Sequence, residues 1–315
     1  MSSTTNTGMS PKTARHVFLT SSRTASHLLL RILNIEAQNA QDTDKNGYFW
    51  LSAMYMRNDL NSRPMCKWSS KEKKSIDDME QQCFNNLLGY INSAEEAGKI
   101  VMFKEHAMLL NDPSIETRFI HGESAAVGVP KSLEGYSDGI SSFRSPLNKT
   151  ILSNEFLKTL KPTFLIGHPA STIPSLFRAI RHEGFDRAVK ELEPVERSLY
   201  WQRKLLEFYE ESYKEGGIDK PIVLDADDMM TSQELMLKYA KEVVNSMPSF
   251  VQHMLGSLNS SEKIDLTKVV GDVDISEEAV KWKAEFGDEH ARKLETYVRE
   301  AMDDYEYMRS KRLTL

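Results

Sequence analysis

The sequence has little cysteine and no long hydrophobic segment. Its 315 residues include two cysteines, Cys66 and Cys83, which are too few for a disulfide framework and fit a reducing compartment. No apolar run reaches the ~18 residues that a membrane-spanning helix needs. The polar N-terminus also lacks the apolar core of a secretory signal. We therefore expect a cytoplasmic protein with no membrane partner.

Positive charge and metal-binding patterns are also scarce. The net charge is −6 and the isoelectric point is near 5.8, which argues against nucleic acid as the main partner. No HExxH motif and no Cys/His cluster with ligand spacing is present, so we expect no zinc. Asp225, Asp227 and Asp228 follow an apolar segment, where such residues cap a helix more often than they bind magnesium. We expect no metal site.

Four short apolar segments are present, and stretches with helical periodicity separate them. This alternation predicts β–α–β units, and hence an α/β fold of three layers with a mostly parallel sheet flanked by helices. The segments are 16–19, 99–104, 162–166 and 221–224. In such sheets ligands bind at the carboxyl ends of the strands, so the residues that follow each segment are the candidate site.

The domain organisation follows from composition and from the length of the chain. Residues 15–315 are expected to form a single domain, and the polar residues 1–14 a disordered tail. Two segments with weak periodicity, 39–70 and 111–150, are expected to be insertions. The second is rich in glycine, serine and proline, which is typical of a mobile lid.

The first insertion contains a cluster of aromatic residues. Long loops of this composition often contact substrate. A packed irregular loop has the same composition, so that interpretation stays open. The candidate substrate-binding residues are Phe49, Trp50 and Tyr55.

The first apolar segment leads into a turn rich in hydroxyl groups and then into a helix. The turn, residues 20–26, reads TSSRTAS. A helix N-terminus after a strand binds anions because its first N–H groups have no partner inside the helix and carry partial positive charge. Arg23 adds a guanidinium suited to phosphate or sulfate. The turn lacks the glycine and lysine of the GxxxxGK[ST] loop. An ordinary N-cap before a surface helix also fits this turn.

A lysine and a histidine follow the second apolar segment. Lys104 and His106 share one face if the chain there is still extended. A histidine takes a proton from a hydroxyl near neutral pH, and a lysine stabilises negative charge on a leaving group. A surface lysine next to a capping histidine would give the same pattern.

These elements, in this order, resemble the sulfotransferase family, in particular the fungal sulfotransferase-like proteins found with secondary-metabolite genes. The resemblance covers about residues 15–312. Members of that family have a sulfotransferase-like P-loop fold and transfer a sulfuryl group from 3′-phosphoadenosine 5′-phosphosulfate (PAPS) to a hydroxyl or amine. The resemblance implies PAPS as cofactor, a small-molecule acceptor and no metal.

The resemblance also assigns roles to residues. The family's Lys-Thr-His strand end, whose histidine is the catalytic base, corresponds to Lys104-Glu105-His106. The family's serine for the 3′-phosphate corresponds to Ser175. The loop for the 5′-phosphosulfate group corresponds to Ser22, Arg23, Thr24, Ala25, Ser26 and His27.

The sequence departs from the family pattern on the 3′-phosphate side. Gly167 stands where the family has an arginine, and residues 275–277, near a second basic segment of the family, are not basic. A charge-assisted hydrogen bond contributes about 1.5–3 kcal/mol. Its loss would weaken PAPS binding by about 10- to 100-fold, unless His168, Arg178 or Arg181 substitutes.

Three hypotheses remain open from the sequence. The leading one is transfer of a sulfuryl group from PAPS to a hydroxyl of a secondary-metabolite-type acceptor, with His106 and Lys104 as catalytic residues. The second is a repurposed member of the fold that uses His106 and segment 48–55 for cyclisation or dehydration without PAPS in natural-product biosynthesis. The third is a non-catalytic ligand-binding protein. The sequence identifies neither the acceptor nor the oligomeric state.

Overall fold

The computed structural model describes residues 13–35, 39–43, 47–125, 133, 144–182, 192–244 and 273–315. Most of the expected tail at 1–14 and the centre of the expected lid at 111–150 lie outside these residues, so both remain predictions. Within the described residues, no helix is long and apolar enough to cross a membrane.

Four strands form one sheet in the order β2–β1–β3–β4, and helices flank it. The strands are β1 (Arg15–Thr20), β2 (Val101–His106), β3 (Lys161–Ile166) and β4 (Ile222–Asp225). Strands β3 and β4 run parallel, with Ile166 opposite Asp225. The predicted α/β fold is confirmed. Strand β2 begins two residues later than predicted and includes His106. The strand continues past its apolar residues through the buried Lys104 and Glu105, an extension that apolar patterning does not predict.

The described residues also form a series of α-helices between and after the strands. They are α1 (Ser26–Leu33), α2 (Leu51–Leu60), α3 (Ser70–Glu96), α4 (Pro113–His121), α5 (Asn154–Lys158), α6 (Pro169–His182), α7 (Pro194–Arg197), α8 (Tyr200–Glu215), α9 (Ala226–Thr231), α10 (Gln233–Val244), α11 (Ile275–Phe286) and α12 (Asp288–Arg309). Short 3-10 turns lie at Met65–Lys67, Ala107–Leu110 and Glu123–Ala125.

The chain divides into two compact units. The first comprises Met1–Leu19, Asn39–Pro162 and Lys204–Pro221, and the second comprises Thr20–Gln38, Thr163–Arg203 and Ile222–Leu315. The expectation of a single domain over 15–315 remains a prediction.

In the first unit, helix α2 lies inside the segment expected to be an irregular insertion. Its sequence has no apolar stripe because its buried residues are Ala53 and Arg57. Apolar periodicity therefore does not predict this helix. The neighbouring helix α3 begins at a capping box formed by Ser69 and Glu72, and it buries apolar residues over its whole length, including Phe84. Helix α2 thus packs through a charged side chain against a conventional amphipathic helix.

Arg57 is the centre of a buried polar network in this unit. Its side chain is 1% exposed and forms an ion pair with Glu80. Its Nε lies 3.5 Å from Glu116 Oε1, and its Nη2 donates to the carbonyl oxygen of Leu109 at 2.9 Å. Burial alone lowers the pKa of Arg57, but the carboxylates of Glu116 and Glu80 more than offset this and raise it. The arginine therefore stays charged and joins α2, α3 and α4.

In the second unit, helices α6, α11 and α12 pack around an apolar cluster. Phe177 of α6 meets Phe286 edge-on at 5.2 Å between ring centroids, and Trp282 and Leu294 are buried beside them. Gly287 has φ +85°, a conformation that an L side chain adopts with strain, and it forms the turn between α11 and α12. The cluster anchors α6, which begins directly after β3.

Replacing Arg57 by methionine tests the buried network. The change leaves Glu80 and Glu116 buried without their cation, so we expect the free energy of unfolding to fall by about 3–5 kcal/mol. The matched control is Arg63→Met, which removes a partly exposed ion pair with Glu72 and should cost about 0–1 kcal/mol. Urea unfolding followed by circular dichroism measures both. Equal losses in the two variants would contradict the role given to Arg57.

Candidate functional site

The end of strand β2 carries the lysine and the histidine that the sequence singled out. Side chains alternate along a strand, so Lys104 and His106 lie on one face and Glu105 on the other. Lys104 and Glu105 are fully buried, whereas His106 is partly exposed. The sequence therefore predicted the shared face of Lys104 and His106 correctly, within the first unit.

Burial shifts the pKa values of both charged residues at this strand end. It lowers the pKa of Lys104 to about 8, against a smaller opposing effect of Glu105. It raises the pKa of Glu105 to about 8, although the backbone N–H groups of Trp50 and Phe49 favour its charged form. Near neutral pH, Lys104 is therefore mostly charged and Glu105 mostly holds its proton.

A backbone segment at Gly47 and Tyr48 lies directly against β2. Gly47 forms an isolated parallel bridge with Lys104, and the N–H of Tyr48 donates to the carbonyl oxygen of Lys104 at 2.8 Å. Gly47 has φ +106°, and a Cβ there would lie 2.4 Å from that same oxygen. Only glycine therefore allows the segment to approach the strand this closely.

Tyr48 lies in segment 48–55, which the second hypothesis paired with His106, but it was not among the candidate substrate-binding residues. Its hydroxyl lies 3.3 Å from Nε2 of His106, and the two ring centroids are 4.9 Å apart. The ammonium of Lys104 lies 4.5 Å from the centre of the Tyr48 ring, within the range of a cation–π interaction. The aromatic cluster beginning at Tyr48 was visible in the sequence, but no pattern told which of its members faces the histidine.

The three candidate substrate-binding residues occupy different environments. Phe49 is half-buried and packs on the ring of Tyr90 at 5.5 Å. Trp50 is fully buried and lies 6.5 Å from Phe84, so it packs in the core instead of presenting a surface to substrate. Tyr55 is 51% exposed. Substrate contact by Phe49 and Tyr55 remains a prediction.

In the second unit, none of the hydroxyl residues of the turn occupies the N-cap position of α1. The N-cap residue is Ala25, which makes no side-chain cap, and Thr24 Oγ1 instead donates to the carbonyl oxygen of Ser21 at 2.9 Å. Arg23 and Ala25 have φ values of +67° and +56°. For residues other than glycine this conformation costs about 1 kcal/mol or more, and such strain clusters at functional sites.

Two residues predicted to bind the cofactor meet in this unit. Nε of Arg23 donates to Oγ of Ser175 on α6 at 3.0 Å. The guanidinium of Arg23 is exposed, as is His27, whereas Thr24 and Ser26 are buried and Ser22 is half-buried. The turn thus presents an exposed cation at a helix N-terminus.

Gly167 is closely surrounded at the end of β3. A Cβ at this position would lie 2.9 Å from Cγ2 of Thr172 and 3.4 Å from Cγ2 of Thr24. The first distance is shorter than real Cβ contacts. An arginine at position 167 would therefore require Thr172 to move.

The three residues considered as substitutes for that arginine all have protein partners. His168 is buried, and its Nδ1 accepts a hydrogen bond from the N–H of Ala170 at 3.1 Å, so this nitrogen carries no proton. Arg178 forms a bidentate ion pair with Glu285 on α11 at 2.5 and 2.7 Å. Arg181 lies over the ring of Phe177 at 5.6 Å.

The acidic run after β4 caps a helix, as predicted. Oδ1 of Asp225 accepts from the N–H of Asp227 at 2.9 Å, and Oδ2 accepts from the hydroxyl of Tyr305 at 2.9 Å. Burial raises the pKa of Asp225. Among the residues that the structure describes, no three His, Cys, Asp or Glu side chains are grouped to hold a metal ion.

Comparison with known proteins gives relatives of nearly the same length. No protein-family model matches the sequence. The chain is 33% identical to "Sulfotransferase ppzF" of Metarhizium majus (strain ARSEF 297) over 98% of both chains. It is 30% identical to the protein of the same name from Metarhizium rileyi (strain RCEF 4871), over 96% of this chain and 97% of the relative.

One solved structure is also similar, at a lower level. The "Sulfotransferase Domain from the Curacin Biosynthetic Pathway" matches with a TM-score of 0.37 and 14% identity, over 76% of this chain and 77% of its own. At this level the similarity supports no argument about the site. The two Metarhizium proteins, by contrast, match at 30–33% identity over nearly the full length, which confirms the resemblance seen in the sequence. The chain belongs to the fungal sulfotransferase family that these two proteins represent.

Proposed function

We propose that this protein transfers a sulfuryl group from PAPS to a hydroxyl group of a small-molecule acceptor. The observation that carries the proposal is the end of β2, where Lys104 and His106 share one face of the strand. A base for the acceptor hydroxyl and a cation for the leaving group are the two functions that such a transfer requires. The printed name of the two relatives, sulfotransferase, supports the same reaction.

Each step of the proposed reaction is assigned to a residue described above. His106 takes the proton from the acceptor hydroxyl, and the ammonium of Lys104 stabilises the negative charge that develops on the leaving oxygen. Arg23 and the backbone N–H groups of residues 22–27 hold the 5′-phosphate, and Ser175 contacts the 3′-phosphate. When bound, PAPS supplies the sulfuryl group.

The second unit fits one end of this cofactor better than the other. On the 5′ side, a strained turn at a helix N-terminus carries an exposed guanidinium, which suits a phosphosulfate group. On the 3′ side, Gly167 contributes no charge, and His168 is a buried helix cap. We therefore propose that PAPS is held mainly through its 5′ end.

Removing the guanidinium of Arg23 tests the 5′ site directly. Arg23→Ala should weaken binding of desulfonated PAPS, the nucleotide PAP, by about 10- to 100-fold, because a charge-assisted hydrogen bond of about 1.5–3 kcal/mol is lost. The control is Arg292→Ala, which removes an exposed arginine whose Nε donates to the carbonyl oxygen of Asp288 in α12. Isothermal titration calorimetry with PAP measures both variants. Unchanged affinity in Arg23→Ala would refute the assignment.

The lowered pKa of Lys104 predicts a pH dependence. A lysine is charged below its pKa and neutral above it, so the rate should fall as the pH rises through about 8. An arginine stays protonated over this range, so Lys104→Arg should move the fall to higher pH. Steady-state rates between pH 6 and pH 10 measure this, with melting temperatures recorded for both proteins. The same falling limb in the variant would exclude Lys104 as its source.

A second candidate function is proton-transfer chemistry without PAPS, such as a cyclisation or dehydration. Two observations favour it. The hydroxyl of Tyr48 lies at hydrogen-bonding distance from His106, which is an acid–base pair in itself. Gly167 also lacks the charge that the family uses for the 3′-phosphate.

A double substitution separates the two candidates. Gly167→Arg alone requires the side chain of Thr172 to move, so its gain in PAP affinity should be smaller than that of the double variant. Gly167→Arg combined with Thr172→Ser, which removes the Cγ2 methyl group, should bind PAP about 10- to 100-fold more tightly. Thr172→Ser alone is the control, and calorimetry is the measurement. Tighter PAP binding without higher native activity would favour the reaction without PAPS.

A further inference from the structure

The backbone and side chain of Tyr48 are both held against strand β2. Its hydroxyl lies 3.3 Å from Nε2 of His106. Its ring lies beneath the ammonium of Lys104 at 4.5 Å. We propose that Tyr48 is a positioning residue that fixes the imidazole of His106, and that Glu105 fixes the segment that carries Tyr48. The kinetic part of this proposal rests on the proposed function, whereas its structural part does not.

The backbone of Tyr48 has little freedom to move away. Its N–H donates to the carbonyl oxygen of Lys104 at 2.8 Å, and the preceding Gly47 bridges to the same residue. Tyr48 itself has φ +58°, which a non-glycine residue adopts only when its surroundings hold it there. The phenol is therefore a fixed part of the strand end and not a side chain on a mobile loop.

Glu105 holds the other side of the same segment. Its side chain lies on the face of β2 opposite to His106, and its Oε1 accepts from the N–H of Trp50 at 3.3 Å. The N–H of Phe49 also bonds to this carboxyl group. The segment 47–50 is thus paired with Lys104 through Gly47 and Tyr48, and it is hydrogen-bonded to Glu105 through Phe49 and Trp50.

A fixed phenol matters for a histidine that moves protons. An imidazole ring rotates readily about its last side-chain bond, and each of its two nitrogens can carry the proton. A hydrogen bond to one nitrogen selects the ring orientation and the tautomer, and so decides which atom faces the reactant. Tyr48 makes this selection at Nε2 of His106.

The test compares Tyr48→Phe with a matched loss of another phenol hydroxyl. In the control, Tyr90→Phe, the missing hydroxyl donates to the carbonyl oxygen of Met102 on the same strand at 2.7 Å. The proton titration of His106 is followed by NMR of the ring C–H signals without any nucleotide, and a His106→Gln spectrum assigns them. Tyr48→Phe should move the midpoint by 0.5 pH unit or more, since a hydrogen bond to one protonation state is lost.

The direction of that change reports which atom carries the proton. A rise means that the phenol donated to a neutral imidazole, and a fall means that the imidazole donated to the phenol. Tyr90→Phe should leave the midpoint within 0.2 pH unit of the wild type. An unchanged midpoint in Tyr48→Phe, or an equal change in Tyr90→Phe, overturns the proposal.

The kinetic readout separates positioning from binding. With PAPS and an accepted phenol or alcohol, Tyr48→Phe should lower kcat by about 5- to 10-fold with KM within twofold, since one hydrogen bond is lost and no substrate contact. If the midpoint changes but no variant turns over PAPS, the proposed function fails while the positioning role stands. If turnover is present and kcat is unchanged, the positioning role fails.

Two substitutions test Glu105, one that removes its hydrogen-bond acceptor and one that keeps it. Glu105→Ala removes the acceptor for the N–H groups of Trp50 and Phe49, and should reproduce the change in the His106 midpoint. Glu105→Gln keeps an acceptor oxygen and resembles the protonated carboxyl group present near neutral pH, so it should restore the wild-type midpoint. If Glu105→Ala does not fold, Glu105→Thr takes its place. A midpoint changed equally by alanine and by glutamine would refute the role of Glu105.

Discussion

The close approach of segment 47–50 to strand β2 is the constraint on which the candidate site of the first unit depends. It exists because Gly47 has no side chain and because the carbonyl oxygen of Lys104 accepts the N–H of Tyr48. The approach covers Lys104 and keeps it out of water, which lowers its pKa. It also brings a phenol to His106. The lowered pKa of Lys104 and the contact between Tyr48 and His106 therefore have one common cause.

The second unit differs from the first in that it presents an exposed positive charge at a helix N-terminus. The strained turn there leaves the guanidinium of Arg23 exposed, with Ser175 as its partner. The neighbouring end of β3 is neutral and closely packed around Gly167. The unit is thus suited to an anion at the turn, and the side chains near Gly167 serve the packing and capping of α6.

The sequence predicted the strands and the shared face of Lys104 and His106 because both depend on local patterns. Apolar segments mark buried strands wherever they occur, and alternation placed Lys104 and His106 on one face. Helix α2 was missed because its buried face holds Arg57, which periodicity reads as polar. Tyr48 was not singled out within segment 48–55, and Trp50 was assigned to substrate, because an aromatic cluster does not tell which of its rings enters the core. Those outcomes depend on contacts between residues that lie far apart in the sequence, such as Tyr48 and His106, which are 58 positions apart.

The crowding at Gly167 has a consequence for substitutions at this position. Because the space for a Cβ is occupied by the methyl group of Thr172, any side chain at position 167 requires Thr172 to turn or shift. The residue at position 172 therefore sets which residues the end of β3 tolerates.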